Sequence, residues 1–288
     1  MISRSRVVVL EDDVTIQGAQ FVNSNTYAIA GVGSLTLDAG EASAAAVDVL
    51  LGNHEFQAPV NLSSDAQATI ANGATLTFNN ALNLGGNTLT KIGPGTLEIN
   101  NNVVTGGGTV NCQGGNCSGT GTIGGDLVNS SLVAPGNSPG ILSVDGNFTQ
   151  SAGGTLEIEL ASNGGVAGTD HDRLAVTLAA SLDGTLDMQL DGGYSPTIGD
   201  SFAGIVTAGT VSGNFATTNN VVIDGRRGVA VTYTETAVNA QIGLRGNTDI
   251  ASGDIDVDTS DLTTSIINFT SAGGTGKTWA DGDMDGDG

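Results

Sequence analysis

Positive charge is what this chain lacks most. Of 288 residues only 8 are Lys or Arg, against 30 Asp or Glu, for a formal net charge of −22. That balance excludes a nucleic-acid partner, because such binding rests on Lys and Arg neutralising phosphate. It disfavours an anionic membrane surface for the same reason. Aromatics make up 4% and charged residues 13%. No stretch reaches the roughly 18 apolar residues of a membrane span. With two cysteines and two histidines, a zinc site of about four ligands is not indicated. No G-x-S-x-G nucleophile motif occurs. What remains is an acidic chain suited to solubility and to divalent cations.

Glycine is abundant, at 45 residues, and the hydrophobic fraction of 39% is too high for a disordered chain. A core built from small and β-branched residues favours many short strands joined by Gly and Asn turns. A short unit recurs: "GSLTL" (Gly33–Leu37), "GATLTF" (Gly73–Phe78), "GNTLT" (Gly86–Thr90), "GTLEI" (Gly95–Ile99), "GTLEIEL" (Gly154–Leu160) and "GTLDMQL" (Gly184–Leu190). Alternation places Leu97 and Ile99 on one face and Thr96 and Glu98 on the other. Dense, irregular spacing of such units predicts stacked coils. The Asn79–Asn80 and Asn100–Asn102 runs predict amide ladders at stacked turns. The expected fold is a right-handed parallel β-helix over 1–154, continuing through 155–244. A β-sandwich for 155–244 is the alternative.

Cys112 and Cys117 lie in "NCQGGNCSG". Four intervening residues, two of them Gly, let the Cα atoms approach the roughly 4.4–6.8 Å that a disulfide needs. A local disulfide is the preferred reading for an extracellular chain, with two free thiols as the alternative.

"LGGNTLTKIGPGTLEINNNVVTGGGTV" (Leu84–Val110) resembles the autotransporter-associated β-strand repeat. "LVNSSLVAPGNSPGILSVDGNFTQSAGGTLEIELA" (Leu127–Ala161) is similar to the segment that follows such repeats in bacterial surface proteins, and Asp172–Phe202 continues the pattern. The resemblance covers roughly residues 80–235. It implies a β-helix exposed outside the cell, and it implies no specific activity. "MISRSRVVVLEDDV" is too short in its apolar run to be a signal peptide. The chain is therefore expected to be a fragment of a secreted or cell-surface protein.

Composition changes after Leu244. Asp249, Asp254, Asp256, Asp258 and Asp261 crowd one stretch, and "DGDMDGDG" closes the chain. Oxygens at alternate positions of a short loop can wrap Ca²⁺. Thr259 and Ser260 offer an N-cap for a helix near Asp261, with Leu262, Ile266 and Phe269 on one face. Asp283, Asp285, Asp287 and Gly288 fit positions 1, 3, 5 and 6 of a 12-residue calcium loop. Residues 245–288 resemble a truncated dockerin type I-like tail, which implies a cohesin-like protein partner. In its first loop Asp254, Asp258 and Asp261 match positions 5, 9 and 12, and Asp256 offers its carbonyl at position 7. Ile250 stands where an acid is expected, which weakens the site.

Catalytic groups are sparse. "GGTGKT" (Gly273–Thr278) lacks the first Gly of a phosphate loop and reads as a linker. His171, between Asp170 and Asp172, has the chemistry for acid–base catalysis, but an exposed loop histidine is the expectation. Glu157 with Glu159 would supply two carboxylates to a glycosidase, yet adjacent same-face positions read as a solvated ladder. The bases of the β region are Lys91, Arg173, Arg226 and Arg227. These features favour a non-catalytic surface or adhesive protein that takes a polysaccharide or cell-surface ligand. A carbohydrate-active enzyme on a β-helix is the alternative.

Overall fold

The computed structural model describes residues 6–40, 43–101, 107–219, 222–224 and 226–244. Gly before each Thr-Leu pair ends one strand and frees the chain to turn. At Gly73, Gly93 and Gly184 φ is positive, a region that other residues enter only at a cost. The strands that follow are those the recurring unit marks: Thr75–Phe78, Thr96–Ile99, Thr155–Leu160 and Thr185–Leu190. Inward and outward residues alternate in each. Leu97 and Ile99 are buried while Thr96 and Glu98 are half-buried.

These strands stack in parallel rather than folding back as hairpins. The first coil consists of β1 (Arg6–Leu10), β2 (Val14–Ile16) and β3 (Gly18–Val22), and β4 (Tyr27–Gly31) begins the second. β1 and β4 open a ten-stranded sheet, the first face. β3 is the end strand of a nine-stranded sheet, the third face. The second face is a four-stranded sheet ending in β2 and, after residues 102–106, a six-stranded sheet. The described residues thus form a three-sided parallel β-helix. Coil length is 20 or 21 residues in the middle, where Thr75, Thr96 and Asn116 pair in register. It reaches 30 and 32 where Thr155, Thr185 and Thr217 pair. The added residues form corner loops around 161–171 and 191–200.

The core is a narrow column of in-register side chains. His54, Leu76 and Leu97 stack in successive coils, and Phe56, Phe78 and Ile99 do the same two positions on. Phe56 and Phe78 stack with centroids 5.1 Å apart. Parallel in-register packing needs few aromatics, which explains how a chain with so few builds a continuous core.

One alternative is excluded and one expectation is corrected. Residues 155–219 continue the parallel faces, through Thr155–Leu160, Thr185–Leu190 and Thr217–Asn219, and form no sandwich. The last pair, Arg227–Tyr233 and Ala237–Leu244, runs antiparallel and extends the second-face sheet beyond Ser201–Thr207. The Asn runs, moreover, form no amide ladder among the described residues. Asn79 donates to Glu55, Asn80 donates to the Gln57 carbonyl, and Asn100 accepts from the Thr120 N–H. Each bridges coils through a different partner because the loops differ in length.

Candidate functional site

Every coil must turn from the third face to the first. That corner leaves backbone carbonyls facing inward, and buried carbonyls need donors. Four successive coils solve this with four different side chains in register. Lys91 pairs with Cys112, Cys112 with Asn129, and Asn129 with Gln150. All four are buried, from 0% to 3% exposed. The Lys91 Nζ donates to the carbonyls of Gly93 at 2.7 Å, Gly95 and Gly114. Burial pushes this ammonium down to about 8. Asn129 donates to Gln150 Oε1 and the Thr155 carbonyl, at 3.0 and 2.8 Å. Gln150 donates to the carbonyls of Gly154, Asp183 and Thr185. Cys112 crosses its corner to Cys117 instead: the two are joined, with Cα atoms 6.4 Å apart. Both sulfurs belong to the interior, one coil from Lys91.

The second cluster lies on the opposite side, where Thr155–Leu160 leads through 161–171 to Arg173–Val176. His171 was expected to be an exposed loop residue; it is 0% exposed. The loop folds back through bridges from His171 to Leu160 and Ala167, and the ring packs edge-on against Phe202 at 5.7 Å. Burial pushes His171 down. Its Nε2 lies 3.3 Å from the Ala203 carbonyl, and Nδ1 has no partner. Asp170 accepts from the Ser162 hydroxyl and the Val166 N–H, in that order of effect, and is held below the usual range. Asp172 accepts from the N–H groups of Gly140 at 2.7 Å and Glu159 at 2.9 Å. Burial nonetheless pushes it up to about 7. Neither acid bonds to the imidazole; they pin the loop on either side of it. Asn163 reaches Asp200 of the next corner loop, where Tyr194 and Thr197 also donate.

His54 has a similar structural part. Its Nδ1 accepts from the Tyr27 N–H at 3.0 Å, Nε2 lies 2.7 Å from the Leu51 carbonyl, and the ring stacks on Phe21.

The remaining candidates lie on the outer surface of the first face. Glu157 pairs in register with Asp187, and Glu159 with Gln189. Burial, then Asp187 and Glu159, push Glu157 up. Gln189 donates to Asp187. Thr77 donates to Glu98 in the adjacent coil. Two of the other bases are held elsewhere: Arg173 donates to the carbonyls of Ala203 and Gly204, and Arg227 pairs with Asp224 and donates to the Pro196 carbonyl. No group of three or more potential metal ligands converges among the described residues. Asp254, Asp256, Asp258, Asp261, Asp283, Asp285 and Asp287 lie outside the described residues, as does the helix expected near Asp261.

The buried column was not anticipated from the sequence, although the signal was present. Lys91 has the strand parity of Leu89, Asn129 of Leu127 and Gln150 of Phe148. A polar residue in the last inward position before a Gly or Ser corner marks it. Compared with known proteins, the sequence matches no family model and no curated protein.

Proposed function

We propose that this chain is a non-catalytic extracellular or cell-surface structural protein. In this reading the β-helix serves as a stalk or adhesive surface, and the acidic tail serves as a calcium-dependent docking or anchoring element. One observation carries the reading: Lys91, Arg173 and Arg227 all donate to backbone carbonyls, and His171 is buried. These three bases and the imidazole are thereby committed to the protein's own interior and corners, which leaves Arg226 as the exposed one of the four bases named for the β region. What faces outward in the middle of the first face is chiefly polar and acidic, through Thr77, Glu98, Ser118 and Glu157, interrupted by Leu132 and Ala134, and such a face suits a polysaccharide or cell-surface ligand. A cohesin-like protein is the partner proposed for the tail.

A carbohydrate-active enzyme is favoured by a single feature, the raised Glu157 carboxyl beside Asp187. A carboxyl pushed up beside a second acidic side chain is the arrangement from which a general acid is drawn. Incubating the full chain with acidic and neutral polysaccharides decides between the two. Pull-down without release of reducing ends or unsaturated products is the expected result. Turnover that Glu157→Gln abolishes would overturn the non-catalytic reading. The tail is tested separately, by calorimetry of Ca²⁺ binding on the full chain and its Asp261→Ala variant. Weak binding, roughly 10⁻⁴–10⁻³ M, is expected for the full chain. No heat at millimolar Ca²⁺ would leave only a solvated acidic tail.

A further inference from the structure

Two Asn-Gly pairs stand in the sequence, Asn72–Gly73 and Asn163–Gly164. Asparagine is thermolabile, and glycine after it brings no side chain to shield the next backbone nitrogen. The covalent chemistry of the two pairs is the same. The fold treats them differently.

Asn72 and Gly73 form the tip of the turn from Ala66–Ile70 on the third face to Thr75–Phe78 on the first. The Ala74 N–H closes this turn onto the Ala71 carbonyl at 3.0 Å. Both ends are tied to the preceding coil: Ala71 donates to the Val49 carbonyl and Thr75 to that of Gly52. The following coil packs on the same ends. A Cβ at Gly95 would stand 2.3 Å from the Ala71 carbonyl oxygen and 2.6 Å from that of Ala74. The tip itself is exposed, and a Cβ at Gly73 would meet nothing within 4 Å. Among the described residues neither the Asn72 carboxamide nor the Gly73 N–H has a hydrogen-bond partner.

Asn163–Gly164 is held instead. Asn163 Nδ2 donates to Asp200 at 3.3 Å. Asp170 accepts from the Ser162 hydroxyl and the Val166 N–H, which flank the pair. One of its carboxylate oxygens lies 2.3 Å from where a Gly164 Cβ would stand. An anion there opposes loss of the Gly164 amide proton, because a like charge disfavours the charged form.

We propose that Asn72 is a site of spontaneous covalent modification in the folded protein, and that the coil stays closed as its turn lengthens by one backbone atom. The Gly73 nitrogen gives up its proton to hydroxide and attacks Cγ of Asn72. A C–N bond forms, the chain closes a cyclic imide, and the side-chain nitrogen leaves as ammonia. The attack is intramolecular, so no second reactant has to be brought in. Water then opens the imide at either carbonyl. One route gives aspartate. The other carries the backbone through Cβ and Cγ and gives isoaspartate, one atom longer. Either adds a negative charge. Ala71, Ala74 and Thr75 keep their partners, and the unencumbered tip takes up the added atom.

The test incubates the full chain at mildly alkaline pH, folded and in urea. Mass spectrometry of its peptides then reads the exchange of NH for O. In the folded chain Asn72 should convert about tenfold faster than Asn163, a difference of about 1.4 kcal/mol between the barriers. In urea the two rates should converge. The species modified at Asn72, separated by anion exchange, should keep the circular dichroism and urea midpoint of the parent. Asn72→Gln, whose longer arm closes a less favoured ring, should remove the fast phase. Equal rates at both sites in the folded chain would overturn the proposal. So would a fast phase that survives Asn72→Gln, or a difference that persists in urea and so belongs to the flanking sequence. A modified fraction without the β-helix signal would overturn the claim that the coil stays closed.

Discussion

Replacing Lys91 with Met isolates the energetics of a buried ammonium that has no carboxylate partner. The stem volume is kept, while the charge and its donors are lost. The Gly95 carbonyl retains the Asn116 N–H, but those of Gly93 and Gly114 then face a thioether. Each donor lost from a charged group removes about 1.5–3 kcal/mol, less here because both glycines are half-buried and water reaches them. Against this stands the desolvation of the charge. Burial lowers Lys91 from 10.5 to about 8, a penalty on the order of 3 kcal/mol for the charged form at neutral pH. The two effects nearly cancel at pH 7, so a single-pH measurement decides little. The pH dependence does not cancel. Between pH 8 and 10.5 the unfolded lysine holds its proton and the folded one releases it. Stability of the wild type relative to Lys91→Met must therefore rise with pH across that window. Urea midpoints followed by far-ultraviolet circular dichroism at several pH values supply the difference. A rise of about 2–3 kcal/mol is expected. A difference that stays flat from pH 8 to 10.5 would show that the ammonium is not desolvated, and the account of this corner would fail.

Two further perturbations test neighbouring groups. Reducing Cys112–Cys117, or replacing both with Ser, should lower stability by about 2 kcal/mol, from loop-closure entropy over so short a loop; the sequence separation is 5. An unchanged urea midpoint after reduction would refute that. Asp172, raised from 3.8 to about 7, contributes stability that is fully present below its unfolded value and is lost as pH rises through about 7. His171, lowered by burial, contributes in the opposite sense, so its stabilisation is lost as pH falls below 6.5. The wild type should thus be most stable at mildly acidic pH. Asp172→Asn should lose about 1 kcal/mol at low pH from one forfeited backbone acceptor and flatten the decline toward neutrality. A variant as pH-sensitive as the wild type between pH 4 and 7 would assign the slope elsewhere.

The fold was legible because its signal is local and repeated. In Thr96–Ile99 the alternation names the inward residues, the preceding Gly names the turn, and parallel stacking follows from the dense though irregular repetition of that unit. The later coils were less legible. Their inserted loops break the period, so a sandwich for 155–244 competed with the continued helix. His171 shows why the candidate site was read wrongly. "TDHDRL" is polar enough to signal an exposed loop, and nothing within it announces that Asp170 and Asp172 bond backbone N–H groups and turn the imidazole onto Phe202. The Gly140 N–H that Asp172 accepts lies 32 residues away in sequence, beyond any local pattern.

The corner column carries the argument further, because it separates what parity fixes from what chemistry must supply. Parity sends residues 91, 112, 129 and 150 inward, each two positions after Leu89, Val110, Leu127 or Phe148. A hydrophobe there would leave the corner carbonyls without donors, at roughly 1–3 kcal/mol for each one buried. Lys91 answers with a charge, and Asn129 and Gln150 with neutral amides of different reach. Gln150 has the longer neutral arm and bonds carbonyls in its own coil and the next, at Gly154 and Thr185. Cys112 alone donates to none; its bond to Cys117 holds the corner covalently, while Lys91 from the coil before takes the Gly114 carbonyl. The cysteine pair and the lysine are therefore one device divided between two coils. That is why this lysine, in a chain with only 8 positive residues, is found in the interior.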